Sequence, residues 1–166
     1  VVRQPLHHDS MEELEVLARV GGHLHAFLKA LVEECGGTYL CAPRKSYERC
    51  VQKVTQEYDG DFSKLLDLER ATGLFEQTDH MLQCVRRLEG QTSSPSSPRS
   101  VVSLLRCKDR LNHPLKSGYR DILLNVCDVE SGFVAELQLN FPKIAQIKSQ
   151  THRFYELTRV MNLKWD

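Results

Sequence analysis

Apolar residues recur at helical spacing through Leu14, Leu17, Val20, Leu24, Phe27, Leu28 and Leu31, a continuous stripe that predicts an amphipathic helix. Asp9 or Ser10 can cap it and Gly36-Gly37 ends it, so the helix is expected over residues 9–35. Gly21-Gly22 weakens its middle and marks a bend. Such a stripe suits a helix laid over a sheet. Pro43 can open a second helix. Along it Lys45, Arg49 and Lys53 recur every four residues and share a face, while Tyr47, Cys50, Val51 and Val54 form the adjoining apolar side. From Lys64 to Phe75 the pattern becomes that of a strand, with Asp67 and Glu69 on one side and Leu66 and Leu68 on the other. Met81, Leu82, Val85 and Leu88 then restore helical spacing behind a cap at Thr78 or Asp79.

Residues 91–100 are a Ser/Pro-rich connection, expected as a mobile loop. Val101 to Arg106 reads as a buried type of strand. Asp121–Val126 and Phe133–Leu139 read as two more, joined by Ser131-Gly132 into a β-hairpin. In the second of these, Phe133, Ala135, Leu137 and Leu139 alternate with Val134, Glu136 and Gln138. Glu136 therefore stands mid-strand, facing away from the largest apolar residues. After Pro142 a helix is expected, with Ile144, Ile147, Phe154 and Tyr155 on its packing side and His152, Arg153 and Arg159 around it. The order of elements predicts an α/β (α+β) domain, a mixed sheet of about four to five strands flanked by helices.

Composition narrows the classes. The 166 residues suit one domain, 1–166, and 41% hydrophobic with 27% charged content is that of an ordinary globular protein. Lys plus Arg equals Asp plus Glu at 22 each, which argues against a surface made for duplex nucleic acid. No apolar run approaches the roughly 20 residues that span a bilayer, and no signal-peptide pattern opens the chain. The start at Val1-Val2-Arg3 reads as a processed chain or an excised domain. Six cysteines show no C-x-x-C pair, so reduced thiols in an intracellular, cytoplasmic protein are expected. His7-His8 and His23-x-His25 are weak metal candidates.

Three groups carry candidate chemistry. The Lys45/Arg49/Lys53 stripe is either a solvated face or a contact for a polyphosphate. Asp67 and Glu69 can hold Mg²⁺, which takes a few carboxylate oxygens together with substrate phosphates; otherwise they are the polar face of an edge strand, paired with Arg70. Tyr119 follows Gly118, with Lys116 and Arg120 close by. It can stack a base while the cations meet phosphates, or simply pack over the start of the sheet.

In this order the motifs resemble the RelA/SpoT synthetase domain, a nucleotidyltransferase-like fold, over about residues 42–159. Lys45-x-x-x-Arg49-x-x-x-Lys53 looks like the family's cationic helix, and Asp67-Leu-Glu-Arg70 is similar to its aspartate strand, with the Arg earlier. Lys108-Asp109…Gly118-Tyr119 looks like its K-D…G-Y loop, and Glu136-Leu137-Gln138 like its E-x-Q strand. The following helix carries His152 and Tyr155 in a family-like way. The resemblance implies transfer of pyrophosphate from ATP to the 3′-hydroxyl of GDP or GTP. Asp67 would hold Mg²⁺. Glu136 would help hold it or act as base. Lys45, Lys53 and Arg70 would neutralise ATP phosphates, Tyr119 would stack on guanine, and Arg49, Lys108, Lys116 and Gln138 would complete the nucleotide contacts.

The sequence also departs from the pattern. Pro43 stands where the family has Arg, Arg49 where it has Ser, and Leu123 where a His follows G-Y. These departures favour an alternative, a degenerate synthetase-like domain that binds a nucleotide or protein partner. A weaker alternative is transfer to an RNA 3′ end. Neighbouring domains and homo-oligomers stay open.

Overall fold

The computed structural model describes residues 1–93, 101–115 and 118–147. The expected first helix forms as two. Helix α1 (Met11–Val20) is capped by Ser10, whose hydroxyl accepts from Glu13 N–H, and α2 is Leu24–Glu34. Between them a 3₁₀ turn at Gly21–His23 makes the bend. Gly21 is there because Phe133 presses on it: a Cβ at this position would sit 2.8 Å from the Phe133 ring. Gly36, at φ +79°, ends α2 in a conformation that side chains resist.

Strand β1 (Thr38–Cys41) follows; the sequence pattern alone did not disclose it, because four residues at a sheet edge bury little and carry no clear alternation. Helix α3 spans Tyr47–Glu57, not from Pro43. Ser46 caps it by accepting from Arg49 N–H, so Lys45 precedes the helix. A short 3₁₀ turn (Phe62–Lys64) leads to β2 (Arg70–Leu74). The strand is thus shorter than the alternation predicted, and Asp67 and Glu69 lie on the segment entering it. Leu65, Leu66 and Leu68 anchor that segment by burial, and Leu68 O accepts from Lys45 N–H at 3.4 Å. Helix α4 (Thr78–Ser93), β3 (Val102–Asp109), β4 (Ile122–Asp128) and β5 (Val134–Asn140) complete the core. Residues 142–147 begin the expected last helix. Its continuation with His152, Arg153, Tyr155 and Arg159 lies outside the described residues, as do Lys116 and residues 94–100 of the Ser/Pro stretch.

The five strands form one mixed sheet in the order β1-β2-β5-β4-β3. Among the described residues only the β2–β5 pair is parallel. The hairpin β4–β5 closes at Gly132, φ +75°, as Ser131-Gly132 predicted. Strand β5 is central, and its Ala135, Leu137 and Leu139 are buried on the face covered by α2. Helix α4 is tied beside α2 by Arg87 to Glu34, 2.6 Å. Strand β3 differs from its expected buried character: among the described residues it pairs only with β4, it carries a bulge between Leu104 and Arg106, and it exposes half of its residues. Among the described residues no helix is long and apolar enough to cross a membrane.

The opposite face of the sheet is polar, and register lines it up in rows. Arg106 pairs with Asn125, Asn125 with Glu136, and Glu136 with Arg70. The next row is Lys108, Leu123, Gln138 and Thr72. Gln4 fastens this face to the segment before β2. Its side-chain amide donates to Leu65 O (3.1 Å) and Val134 O (2.8 Å), and its oxygen accepts from Val134 N–H.

Candidate active site

The segment before β2 delivers Asp67 beneath two cations. Lys45 Nζ donates to Asp67 Oδ2, and Lys53 Nζ reaches the same oxygen at 2.9 Å. Lys45 comes from the extended run before α3 and Lys53 from the helix itself, which also sets its ammonium 5.3 Å from the Tyr58 ring centroid. Burial acts to raise the Asp67 carboxyl, but Lys53 and Lys45 outweigh it and hold the group below the ordinary range. Burial pulls the Lys45 ammonium down, and Lys53 and Arg70 reinforce that shift against Asp67. Arg49, expected on the same face, is exposed and reaches Gln52 Oε1 at 3.4 Å.

Asp67 Oδ1 is buried and has no hydrogen-bond partner among the described residues. A buried carboxylate oxygen left so costs about 1–3 kcal/mol or more. Glu136 is its neighbour in charge. Burial raises the Glu136 carboxyl and Asp67 adds to that, against a 2.6 Å hydrogen bond from Gln138 Nε2 to Oε1. The two carboxylates fit Mg²⁺, a hard cation that accepts one or two protein carboxylates and fills its remaining positions with phosphate and water. Among the described residues no cluster of three or more His, Cys, Asp or Glu is placed to hold a metal. The N-terminal histidines go elsewhere: His23 bonds Asp128 and His25 bonds Tyr39 and Glu69.

Raising of the Glu136 carboxyl has a consequence for stability. The native state keeps its proton to a higher pH than the unfolded chain, so ionisation destabilises the fold above that range. Without divalent cation, Glu136→Gln is expected to raise Tm at neutral pH, and the gain should fade as pH drops below the ordinary glutamate range. A lower Tm than wild type at neutral pH, measured by calorimetry, would contradict this assignment.

The remaining expected residues occupy the same polar face at different distances. Arg70 is exposed beside Glu136 in register. Lys108 is exposed on β3, its ammonium lowered by burial and by Arg106 and Arg110. Tyr119 is half-buried rather than exposed, because its hydroxyl accepts from Asn140 Nδ2 at 2.8 Å and Arg110 lies 5.9 Å from its ring centroid. Arg110 is itself held by the buried Asp121, at 2.5 and 2.7 Å. Asn140 is four residues from Glu136 on one face of β5, about 13 Å along the strand at roughly 3.3 Å per residue. Tyr119, bonded to Asn140, and Glu136 therefore lie toward different ends of the same face of β5.

Sequence reasoning missed Asn125 and Arg106. Asn125 is fully buried; its Oδ1 accepts from Arg106 Nε at 2.7 Å, and its Nδ2 has no partner among the described residues. The signal was present: a single amide inside the apolar run Ile122–Val126. Glu69 is not paired with Arg70 as expected. Its carboxylate takes Arg44 and His25, and its carbonyl accepts Glu136 N–H at 3.1 Å.

A mixed five-stranded sheet with helices on one face and carboxylates under lysines on the other is a nucleotidyltransferase-type fold. Its closer form is the RelA/SpoT-like synthetase fold. Small alarmone synthetase 2 from Bacillus subtilis superposes with a TM-score of 0.68 at 18% identity, over 96% of this chain and 85% of that one. Small alarmone synthetase 1 from Bacillus subtilis, bound to its product pppGpp, gives 0.68 at 15% identity, over 87% and 80%. The type VI effector Tas1, in complex with its immunity protein, gives 0.62 at 25% identity over 80% of this chain. The chain spans 62% of the Tas1 chain it matches. No protein-family model matches the sequence, and no curated protein matches it.

Proposed function

We propose that the protein transfers pyrophosphate from ATP to the 3′-hydroxyl of GDP or GTP in an Mg²⁺-dependent reaction. The observation that carries this reading is the unpartnered, buried Asp67 Oδ1 beside Glu136, under Lys45 and Lys53. Asp67 and Glu136 would hold Mg²⁺, which supplies charge neutralisation across phosphate oxygens when bound. Lys45, Lys53 and Arg70 bind the donor phosphates and stabilise the charge that builds up during transfer. Arg49 extends that cationic lining, and Lys116, outside the described residues, is proposed as a further nucleotide contact. Glu136 takes the proton of the attacking hydroxyl, a task suited to a carboxyl that burial raises above its ordinary range. Gln138 orients its carboxylate through the 2.6 Å bond. Tyr119 stacks on the acceptor base, with Lys108 toward its phosphates. Such substrates set this work in the cytoplasm.

A second reading, nucleotide or protein binding without turnover, draws on Leu123. It is buried in the Lys108–Gln138 row where the resemblance expects a histidine. Transfer of label from γ-labelled ATP to a guanosine nucleotide, with Mg²⁺ present, separates the two: the first reading expects a new polyphosphate product.

A further inference from the structure

Among the described residues two buried side-chain polar atoms lack a hydrogen-bond partner, Asp67 Oδ1 and Asn125 Nδ2. The proposed transfer uses the first and leaves the second idle. Both border Glu136: Asp67 acts on its charge, and Asn125 stands opposite it in the β4–β5 pairing. Directly opposed residues share a face of the sheet and set their Cβ atoms about 4.5–5.5 Å apart, within reach of an amide and a carboxylate. Arg106 fixes which end of the amide turns that way. Its Nε donates to Asn125 Oδ1 at 2.7 Å from β3, the neighbouring strand on the other side. A reversed amide would set N–H against N–H, so the oxygen stays toward β3 and the nitrogen is left on the β5 side, where Glu136 stands. Asn125 is fully buried, like Leu124 and Val126 beside it, and a buried donor without a partner is costly enough to need a reason. Packing does not supply one, since leucine has nearly the same outline and no donor to satisfy.

Among the described residues Gln138 is the hydrogen-bond partner of the Glu136 carboxylate, through Oε1 at 2.6 Å. One such contact leaves a carboxylate free to swing about its terminal bond, a soft torsion. We propose, on the transfer reading above, that Asn125 is a positioning residue for Glu136: once the substrates are bound, its Nδ2 donates to Glu136 Oε2. Contacts of this kind are long in an empty site and tighten in the complex. Each carboxylate oxygen carries two lone pairs, so two amide contacts still leave acceptor capacity for the attacking hydroxyl. Gln138 holds the carboxylate from β5 and Asn125 holds it from β4, which sets the plane in which the proton is received.

The test pairs kinetics with NMR. Asn125→Asp keeps an acceptor for Arg106 and removes the donor. With circular dichroism unchanged, its kcat should fall roughly tenfold or more while the KM for ATP stays within about twofold. Asn125→Leu, which adds no charge, should lower kcat by a similar factor. A role confined to holding Arg106 would instead leave kcat in Asn125→Asp near the wild-type value. In the wild type, the Asn125 Nδ2 protons are identified by their absence from the Asn125→Asp spectrum. They should shift downfield on addition of Mg²⁺, GDP and an ATP analogue with a methylene bridge between its α and β phosphates, and stay in place in Glu136→Ala. An unmoved Asn125 amide in a sample whose Lys53 backbone resonance does move would overturn the proposal. So would wild-type kcat in a folded Asn125→Asp protein. Should the wild type form no product, the transfer reading falls and the resonance decides by itself: a shift that needs Glu136 keeps the contact within a binding site, and no shift removes it.

Discussion

Asp67→Asn is expected to lower pyrophosphate transfer by about a hundredfold or more, the scale lost when one preorganised charge-stabilising group is removed. The residue does two things that an amide cannot. It neutralises Lys45 and Lys53 through a single oxygen, and it offers a buried second oxygen to a cation. Asparagine keeps the shape, so circular dichroism should match that of the wild type. Lys53→Met removes one phosphate-binding cation and leaves Asp67 with Lys45; its deficit should therefore be smaller and fall more on the KM for ATP. Asp67→Asn with turnover near the wild-type level would remove Asp67 from the reaction.

The largest loss of stability is expected at Asp121. Its side chain is fully buried, and Arg110 donates to both of its oxygens from a side chain only 16% exposed. Asp121→Ala leaves a guanidinium buried without its anion, which costs about 3–5 kcal/mol. Urea unfolding should show this as a lower midpoint at unchanged slope. Replacing both partners, as Arg110→Met with Asp121→Leu, should recover most of the loss, because the apolar pair carries no desolvation penalty. The effect reaches the site, since Arg110 lies against Tyr119. Nucleotide affinity should fall in Asp121→Ala even where the protein is fully folded. A cost below about 1 kcal/mol would mean that the pair behaves as a solvated one.

Much of this arrangement was legible in the sequence wherever burial is strongly periodic. The bend at Gly21-Gly22, the Ser131-Gly132 turn and the inward row Phe133, Ala135, Leu137 and Leu139 all follow from spacing and turn chemistry. Glu136 was legible for the same reason, as the polar residue alternating with that row. What the pattern hid depends on contacts distant in sequence. Leu66 and Leu68 alternate with Asp67 and Glu69 as a strand would, yet they are buried in an irregular segment ahead of β2, pinned by Gln4 across 61 residues to Leu65. Lys45 and Lys53 converge on Asp67 although only Lys53 is helical, because Ser46 rather than Pro43 starts α3. Asn125 and Arg106 pair only through the register of β3 on β4, which a bulge shifts by one residue between Leu104 and Arg106. Lys116 and the end of the C-terminal helix lie outside the described residues.

The most direct test of the account is incubation with γ-labelled ATP, Mg²⁺ and either GDP or GTP, with products resolved by thin-layer chromatography. The account predicts a new labelled guanosine polyphosphate that requires Mg²⁺ and disappears in Glu136→Gln. ATP consumption without a guanosine product would keep the donor chemistry and assign a different acceptor. No product and no Mg²⁺-dependent binding of ATP would contradict the synthetase reading and leave a nucleotide- or partner-binding module on the same fold.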